Sequence, residues 1–313
     1  MTFVVFAYNQ EKYIVSAVES AFSQTYEPLE IILSDDQSTD RTFEIMQEMA
    51  ALYTGRHHVK VRKNQTNLGL AGHINKIIEC SSGDIVTWLA GDDIATSERT
   101  EIFVEKIQED TDNIGVHSNV YEISEDGSLI GKRMHGAKFA AMTVDSVVNE
   151  GIPIISQSHA FKKRAFDYFG PLREDLTNEG IPLAFRELVH GKIVFIDDLL
   201  TYYRIGSGTS TYSGKEVLRR KLSEPQKISM WRLSAYIQLR DDVDKIKDRD
   251  LNAARRIINQ NFIFYRNIYN INTNNNTVKS LVSNFFIKPT DTRTIRAVCR
   301  MISPSMVYKL FIR

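Results

Sequence analysis

Residues 3–42 read FVVFAYNQEKYIVSAVESAFSQTYEPLEIILSDDQSTDRT, and this stretch decides the fold because its apolar period changes twice. Residues 4–7 are a continuous apolar run of strand length. Residues 11–24 then place Ile14, Val18, Ala21 and Phe22 on one helical face, and residues 29–36 return to a buried-strand pattern. That is a β-α-β unit. Ser38, Thr39 and Asp40 are candidate N-caps for a following helix over 38–53, with Phe43, Met46 and Ala50 inward.

The alternation continues. HVKVRK (58–63) predicts a third strand, residues 70–81 a helix with Ile74, Ile77 and Ile78 on one face, and DIVTWLAGDD (84–93) a fourth strand before a helix over 97–108. Such a succession implies right-handed crossovers and a mainly parallel α/β sheet flanked by helices. After residue 115 the texture changes. VHSNVYEIS and LIGKRM flank the turn signal EDGS, which predicts a hairpin and a mixed sheet. Helices near 164–169 and 181–189 and the strand GKIVFIDD (191–198) complete a domain by about residue 210. Residues 215–246 and 252–270 read as helices, NINTNNNT (270–277) as a loop, and no fixed-period repeat occurs. The expected organisation is a catalytic domain over 1–210, with halves 1–110 and 111–210, and a helical region over 211–313.

Thirty-nine basic against 39 acidic side chains among 313 residues disfavour a polyanion partner, and no aromatic-basic groove marks a nucleic-acid binder. Cys80 and Cys299 stand far apart without metal-ligand spacing, as expected in a reducing compartment. The N-terminus has no basic n-region or cleavage site, and no apolar run reaches the ~18 residues of a spanning helix. A cytoplasmic location is expected. No feature indicates an oligomeric state.

In an open α/β sheet, ligands bind beyond the carboxyl ends of the strands. Tyr8 and Asn9 end the first strand here, Asp35 and Asp36 the second, Asn67 and Gly69 follow the third, and Asp92 and Asp93 end the fourth. Asn and Asp also favour strand-to-helix turns for backbone reasons, which accounts for one such site more easily than for a whole rim. Adjacent carboxylates in a partly desolvated place raise their own proton affinity unless a cation compensates. A hard ion, Mn²⁺ or Mg²⁺, takes one or two carboxylates and completes its shell with water and substrate phosphates. Neither a P-loop nor Gly-x-Gly-x-x-Gly follows the first strand, so a phosphorylated ligand is expected to be held through the metal.

The segment from FVVFAYNQ to SDDQSTDRT, then NLGLAGHINKIIECSSGDIVTWLAGDD, closely resembles the family-two glycosyltransferases of the GT-A fold, a likeness that resumes at 155–175 and 178–204. The resemblance implies transfer of a sugar from a nucleoside diphosphate donor, with inversion. Ala7, Tyr8, Asn9 and Glu11 then border the nucleotide, Asp35 and Asp36 include the contact to base or ribose, Asp92 holds the metal and Asp93 supports it. Two departures stand out. Ala90 replaces the first acid of the usual Asp-x-Asp, and Gly180 replaces the Asp of the usual Glu-Asp.

A sugar hydroxyl needs a base. Glu179 is the first candidate, Asp175 and His159 are weaker ones, and the competing reading of Glu179 is a carboxylate serving a helix N-terminus. Arg186 and Arg204 either contact phosphate or pin the acceptor loop through a carboxylate. Trp88 is expected in the core, His73 and His117 as packed histidines, and His57 and His58 in a solvated loop. The tail over 287–313 sets six basic residues and an apolar set against one acid. This suits either docking on the cytoplasmic face of the inner membrane, beside a lipid-linked acceptor, or packing on the protein. The leading expectation is a glycosyltransferase of bacterial cell-surface polysaccharide biosynthesis, acting on a glycan or lipid-linked acceptor. A non-catalytic sugar-nucleotide-binding protein of the same fold is the alternative, and a nucleic-acid polymerase metal motif ranks last.

Overall fold

A computed structural model of the chain describes residues 1–134, 141–151, 154–206 and 225–273, together with Ser280, Ser283, Asn284 and Ile287. The chain divides into two units, Met1–Ser213 and Gly214–Arg313.

In the first unit, β1 (Thr2–Ala7), β2 (Glu30–Asp35), β3 (His58–Lys63) and β4 (Ile85–Ala90) are parallel, in the order β3-β2-β1-β4. Between them run α1 (Ile14–Phe22), α2 (Thr42–Leu52) and α3 (Gly69–Cys80). The period-3.6 positions explain which faces are inward: Ile14, Val18 and Ala21 of α1 and Met46 of α2 join Phe3, Val5, Ile31 and Leu33 in one cluster. Each fully buried aliphatic side chain there contributes about 1.5–3 kcal/mol. Phe22 and Ala50 are half-buried at its margin, and Phe43 is half-buried. The N-cap of α2 is Arg41, not one of the three predicted residues. Asp40 instead accepts from Thr42 N at 3.0 Å, the turn chemistry that competes with a side-chain cap.

Beyond β4 the sheet becomes mixed. A two-residue strand, β5 (Ile94–Ala95), precedes α4 (Arg99–Gln108), and then come β6 (Asn113–Ile123) and β7 (Leu129–Arg133), joined antiparallel across the predicted turn. After α5 (Val144–Glu150) and a 3-10 turn at Ser156–Ser158, the short β8 (His159–Lys162) inserts between β4 and β6, antiparallel to both. Helices α6 (Arg164–Phe169) and α7 (Gly180–His190) lead to β9 (Lys192–Arg204), which lies parallel to β6 and pairs its far end with β5. The predicted halves therefore share one nine-stranded sheet. Trp88 is in the core, 1% exposed.

In the second unit, α8 (Pro225–Lys245) and α9 (Asn252–Asn272) pack through Tyr236 stacked on Tyr265, ring centres 5.1 Å apart. Helix α9 covers the first three residues of the stretch predicted to be a loop, where Ile271 is buried. The rest of that loop, residues 215–224 and the basic tail from 288 lie outside the described residues. Among the described residues, no helix is long and apolar enough to cross a membrane.

Candidate active site

The rim at the ends of β1, β2, β3 and β4 is assembled by backbone groups caught on polar side chains. Asn9 takes a positive φ of 53°, a conformation asparagine tolerates better than most side chains. Its Oδ1 accepts from Thr39 N at 2.8 Å and its own N–H donates to Ser38 Oγ at 2.8 Å. Glu11 Oε2 accepts from Arg41 N at 2.9 Å, while Glu11 N donates to Asp40 Oδ2 at 3.1 Å and Gln10 N to Thr42 Oγ1 at 2.7 Å. The first strand-end loop is thus latched to the second. Tyr8 stays 46% exposed on this rim, and Ala7 carbonyl receives Asp36 N at 2.9 Å.

The predicted acids do different work. Asp35 is fully buried; its Oδ1 accepts from Ser38 N at 2.9 Å, Lys63 Nζ lies 3.7 Å away, and Oδ2 has no partner. Asp36 shapes the third loop. Its Oδ1 accepts from Asn64 Nδ2 at 2.6 Å and Leu68 N at 2.9 Å, and its Oδ2 from Gly69 N at 3.0 Å. Asn67 Oδ1 shares that Gly69 N–H at 3.0 Å. Gly69 has φ +70°, where a side chain is strained. Behind this loop, His73 Nε2 meets Ser34 Oγ at 2.7 Å, and burial pulls its pKa down to about 4, with Arg62 acting in the same direction and Asp36 against it.

Gly91 follows β4 because nothing larger fits: a Cβ would lie 2.5 Å from Gln10 Oε1 and 2.8 Å from Ala7 Cβ. Asp92 and Asp93 are both buried, at 6% and 2% exposure. Asp93 Oδ1 accepts from Arg204 N at 2.8 Å. Burial first, then the neighbouring Asp92 charge, push the Asp93 carboxyl well above the usual range, opposed by Arg204 and Arg99. Arg99 is itself fully buried over the rings of Phe3 and Phe103, and burial lowers its pKa to about 9. Asp93 is thus engaged with the Arg204 amide, and Asp92 beside it is the candidate cation ligand that the family resemblance points to.

Among the described residues, no cluster of three His, Cys, Asp or Glu side chains forms a metal cage. That donor set fits Mn²⁺ or Mg²⁺ held by one carboxylate together with a diphosphate, and it does not fit a structural ion held by protein alone.

The second half of the site reaches this rim through β9. Glu179 precedes α7 at the N-cap position, but its side chain does not cap the helix; Oε1 accepts from Ser156 Oγ at 2.6 Å. The neighbouring Gln157 carbonyl accepts from Thr201 Oγ1 at 3.2 Å, and Thr201 pairs with Ala95 just beyond the acids. His159 is sealed at 1% exposure, with Nε2 2.9 Å from Glu187 Oε2, so it has no access to an acceptor. Asp175 is held by Arg173 through two contacts of 2.9 Å. Arg186 is buried over Phe166 and Phe169 and donates to Gly170 O at 2.8 Å. His117 packs on Phe195 as expected. His57 does not lie in a solvated loop: it is buried, with Nε2 2.9 Å from Gln24 O, whereas His58 is exposed at the start of β3.

Ser156, Gln10 and Arg99 were not singled out in the sequence. Ser156 and Gln10 lie within the resembling segments, and nothing local marks Arg99.

A mixed sheet with this rim defines a GT-A-type nucleotide-sugar transferase fold. The sequence profile of glycosyl transferase family 2 matches residues 2–169, and the chain belongs to that family. It is 38% identical over 102 residues to the putative glycosyltransferase EpsE of Bacillus subtilis (strain 168), covering 32% of this chain and 36% of that one. Chondroitin synthase of Escherichia coli is 29% identical over 173 residues, 55% of this chain and 24% of its own. These matches thus span about a third and a quarter of the two relatives. Glycosyltransferase GlyG of Streptococcus pneumoniae serotype 4 is 29% identical over 66% of this chain and 71% of its own. Among solved structures, S. aureus TarS 1-349 in complex with UDP superposes with a TM-score of 0.63 at 14% identity, over 100% of this chain and 93% of that one. Mannosyltransferase PcManGT from Pyrobaculum calidifontis, in complex with GDP-Man and Mn²⁺, gives 0.55 at 13% identity, over 99% and 81%.

Proposed function

We propose that this glycosyltransferase moves a sugar from a nucleoside diphosphate donor to a hydroxyl of a glycan or lipid-linked acceptor, with inversion, in the synthesis of a bacterial surface polysaccharide. The observation that carries the reading is the latched rim, where residues 7–11, Asp35 and the Asp36-held turn at Asn67 and Gly69 meet the Asp92 loop. TarS and PcManGT bear on it through the nucleotide and nucleotide-sugar ligands their descriptions name.

In this reading Ala7, Tyr8, Asn9 and Glu11 border the nucleotide. Asp35 and Asp36 include the contact to its base or ribose: Asp36 orders the loop beside it, and the unpartnered oxygen of the fully buried Asp35 reaches the ligand only if the rim opens. Asp92 holds Mn²⁺ or Mg²⁺ and Asp93 braces it. A bound divalent ion neutralises the negative charge that develops on the departing diphosphate. Glu179, oriented by Ser156, takes the proton of the acceptor hydroxyl as that oxygen attacks the anomeric carbon. The basic tail over 287–313 brings the enzyme to the cytoplasmic face of the inner membrane.

A panel of uridine- and guanosine-diphosphate sugars, each with Mn²⁺, tests the proposal by thermal stabilisation and by release of the diphosphate. One donor is expected to raise the melting temperature and to turn over with an acceptor. Stabilisation without turnover on any hydroxyl acceptor removes the transfer reading, and no stabilisation by any donor removes the nucleotide site.

A further inference from the structure

Arg204 ends β9 and is 4% exposed, yet it touches three segments distant in sequence. Its backbone N–H donates to Asp93 Oδ1 at 2.8 Å and its Nε to the Asp92 carbonyl at 2.8 Å. Nη1 donates to the carbonyls of Ser124 at 2.8 Å and Glu125 at 3.1 Å, in the turn between β6 and β7. The guanidinium lies over the Tyr13 ring, 4.7 Å from its centre, beside the first strand-end loop. On that same side Lys12 Nζ lies 3.7 Å from Glu125. Three guanidinium donors are spent on backbone carbonyls, an arrangement that needs a planar fork and a flat cationic face together.

From this geometry we propose that Arg204 is a positioning residue: it locks the backbone of the Asp92 loop to the β6–β7 turn and to Tyr13, so that the Asp92 carboxylate is presented at a fixed place on the rim. Its side-chain partners are backbone carbonyls, so it does not pin the loop through a carboxylate. The proposal rests on Asp92 as the cation ligand only for its consequence in binding; the lock itself is a property of the protein alone. Lysine keeps the charge but has a single ammonium in place of the fork, so Arg204→Lys separates charge from geometry. Tyr13→Leu removes the ring face and leaves the fork intact.

Hydrogen exchange on the full chain tests the lock without any ligand. In Arg204→Lys, peptides covering 91–95 and 124–128 are expected to lose protection together, by about tenfold, while 30–35 is unchanged. Tyr13→Leu produces the same paired loss at smaller size. Loss in one segment alone, or in neither, overturns the proposal, and should Arg204→Lys fail to fold, the Tyr13→Leu pattern decides it.

Binding of UDP with and without Mn²⁺ tests the consequence. Arg204→Lys is expected to reduce by about tenfold the gain in affinity that Mn²⁺ adds, and to have no further effect in an Asp92→Asn background. An equal loss of metal-free UDP binding assigns Arg204 to the phosphates and overturns the positioning role. A wild-type protein that shows no Mn²⁺ response removes Asp92 as the cation ligand, and the exchange result then decides the lock.

Discussion

Ser156 donates its hydroxyl to Glu179 at 2.6 Å, which holds the carboxylate away from the N-terminus of the helix it precedes. A base placed in this way should matter to turnover and not to donor binding. Glu179→Gln is expected to lower kcat by about 10²–10⁴-fold with the donor Kd nearly unchanged. Ser156→Ala should cost less, about tenfold, because the carboxylate remains but is no longer oriented. Steady-state kinetics alongside calorimetric donor binding check both; equal losses in kcat and in affinity make Glu179 a structural carboxylate.

Removing the cation should mimic removing its ligand. EDTA is expected to abolish transfer and added Mn²⁺ to restore it. Asp92→Asn should lose Mn²⁺-dependent stabilisation by the donor while keeping its circular dichroism and ligand-free melting temperature. Full activity in this variant takes Asp92 out of the reaction.

Gly91 is confined by Gln10, Ala7 and Ile14, whose atoms lie 2.5, 2.8 and 3.0 Å from where a Cβ would sit. Gly91→Ala therefore has to push the first loop away from the fourth strand end. A destabilisation of about 1–3 kcal/mol in urea denaturation is expected, with a larger proportional loss of donor affinity than Leu52→Ala, an exposed helix position. Equal donor affinities in the two variants would show that the rim tolerates the shift.

Stability should carry a histidine signature. Burial lowers the His73 pKa to about 4 from the ordinary 6.5. As pH falls through this interval, the unfolded chain binds the proton and the folded chain does not, so stability declines with falling pH and is unaffected by this group above about 6.5. The full effect is about 3 kcal/mol. Urea denaturation at pH 7.5 and 4.5 checks this: the drop is expected to shrink in His73→Gln, and equal drops would mean that the ring is protonated in the fold.

The tail is tested by deletion of residues 289–313, which is expected to release the protein from inner-membrane vesicles in sedimentation. Unchanged sedimentation ends the docking reading.

Much of the parallel half was legible, because 4–7, 29–36 and 84–93 carry apolar runs, HVKVRK alternates, and residues at helical spacing separate them. The hairpin at 124–128 announced itself through EDGS. The position of β8 did not: four residues, HAFK, carry too little period to show that they lie between β4 and β6. The site divides in the same way. Residues at strand ends could be named from their place after an apolar run, since topology alone brings those ends together. What each one touches depends on partners remote in sequence, as with Asp93 and the amide of Arg204, 111 residues apart. Arg99 shows the limit most plainly, because a lone arginine at a helix start gives no sign of being fully buried.

The intercalated β8 also imposes an order on biosynthesis. The flank of β4 that it covers stays bare until residue 162 has left the ribosome, roughly seventy residues after β4 itself, a delay of about 4–14 s at ordinary elongation rates. During that interval the nascent chain exposes a pairing edge that can capture another polypeptide, so a fragment ending near residue 110 keeps indefinitely a liability that the full chain carries only in passing.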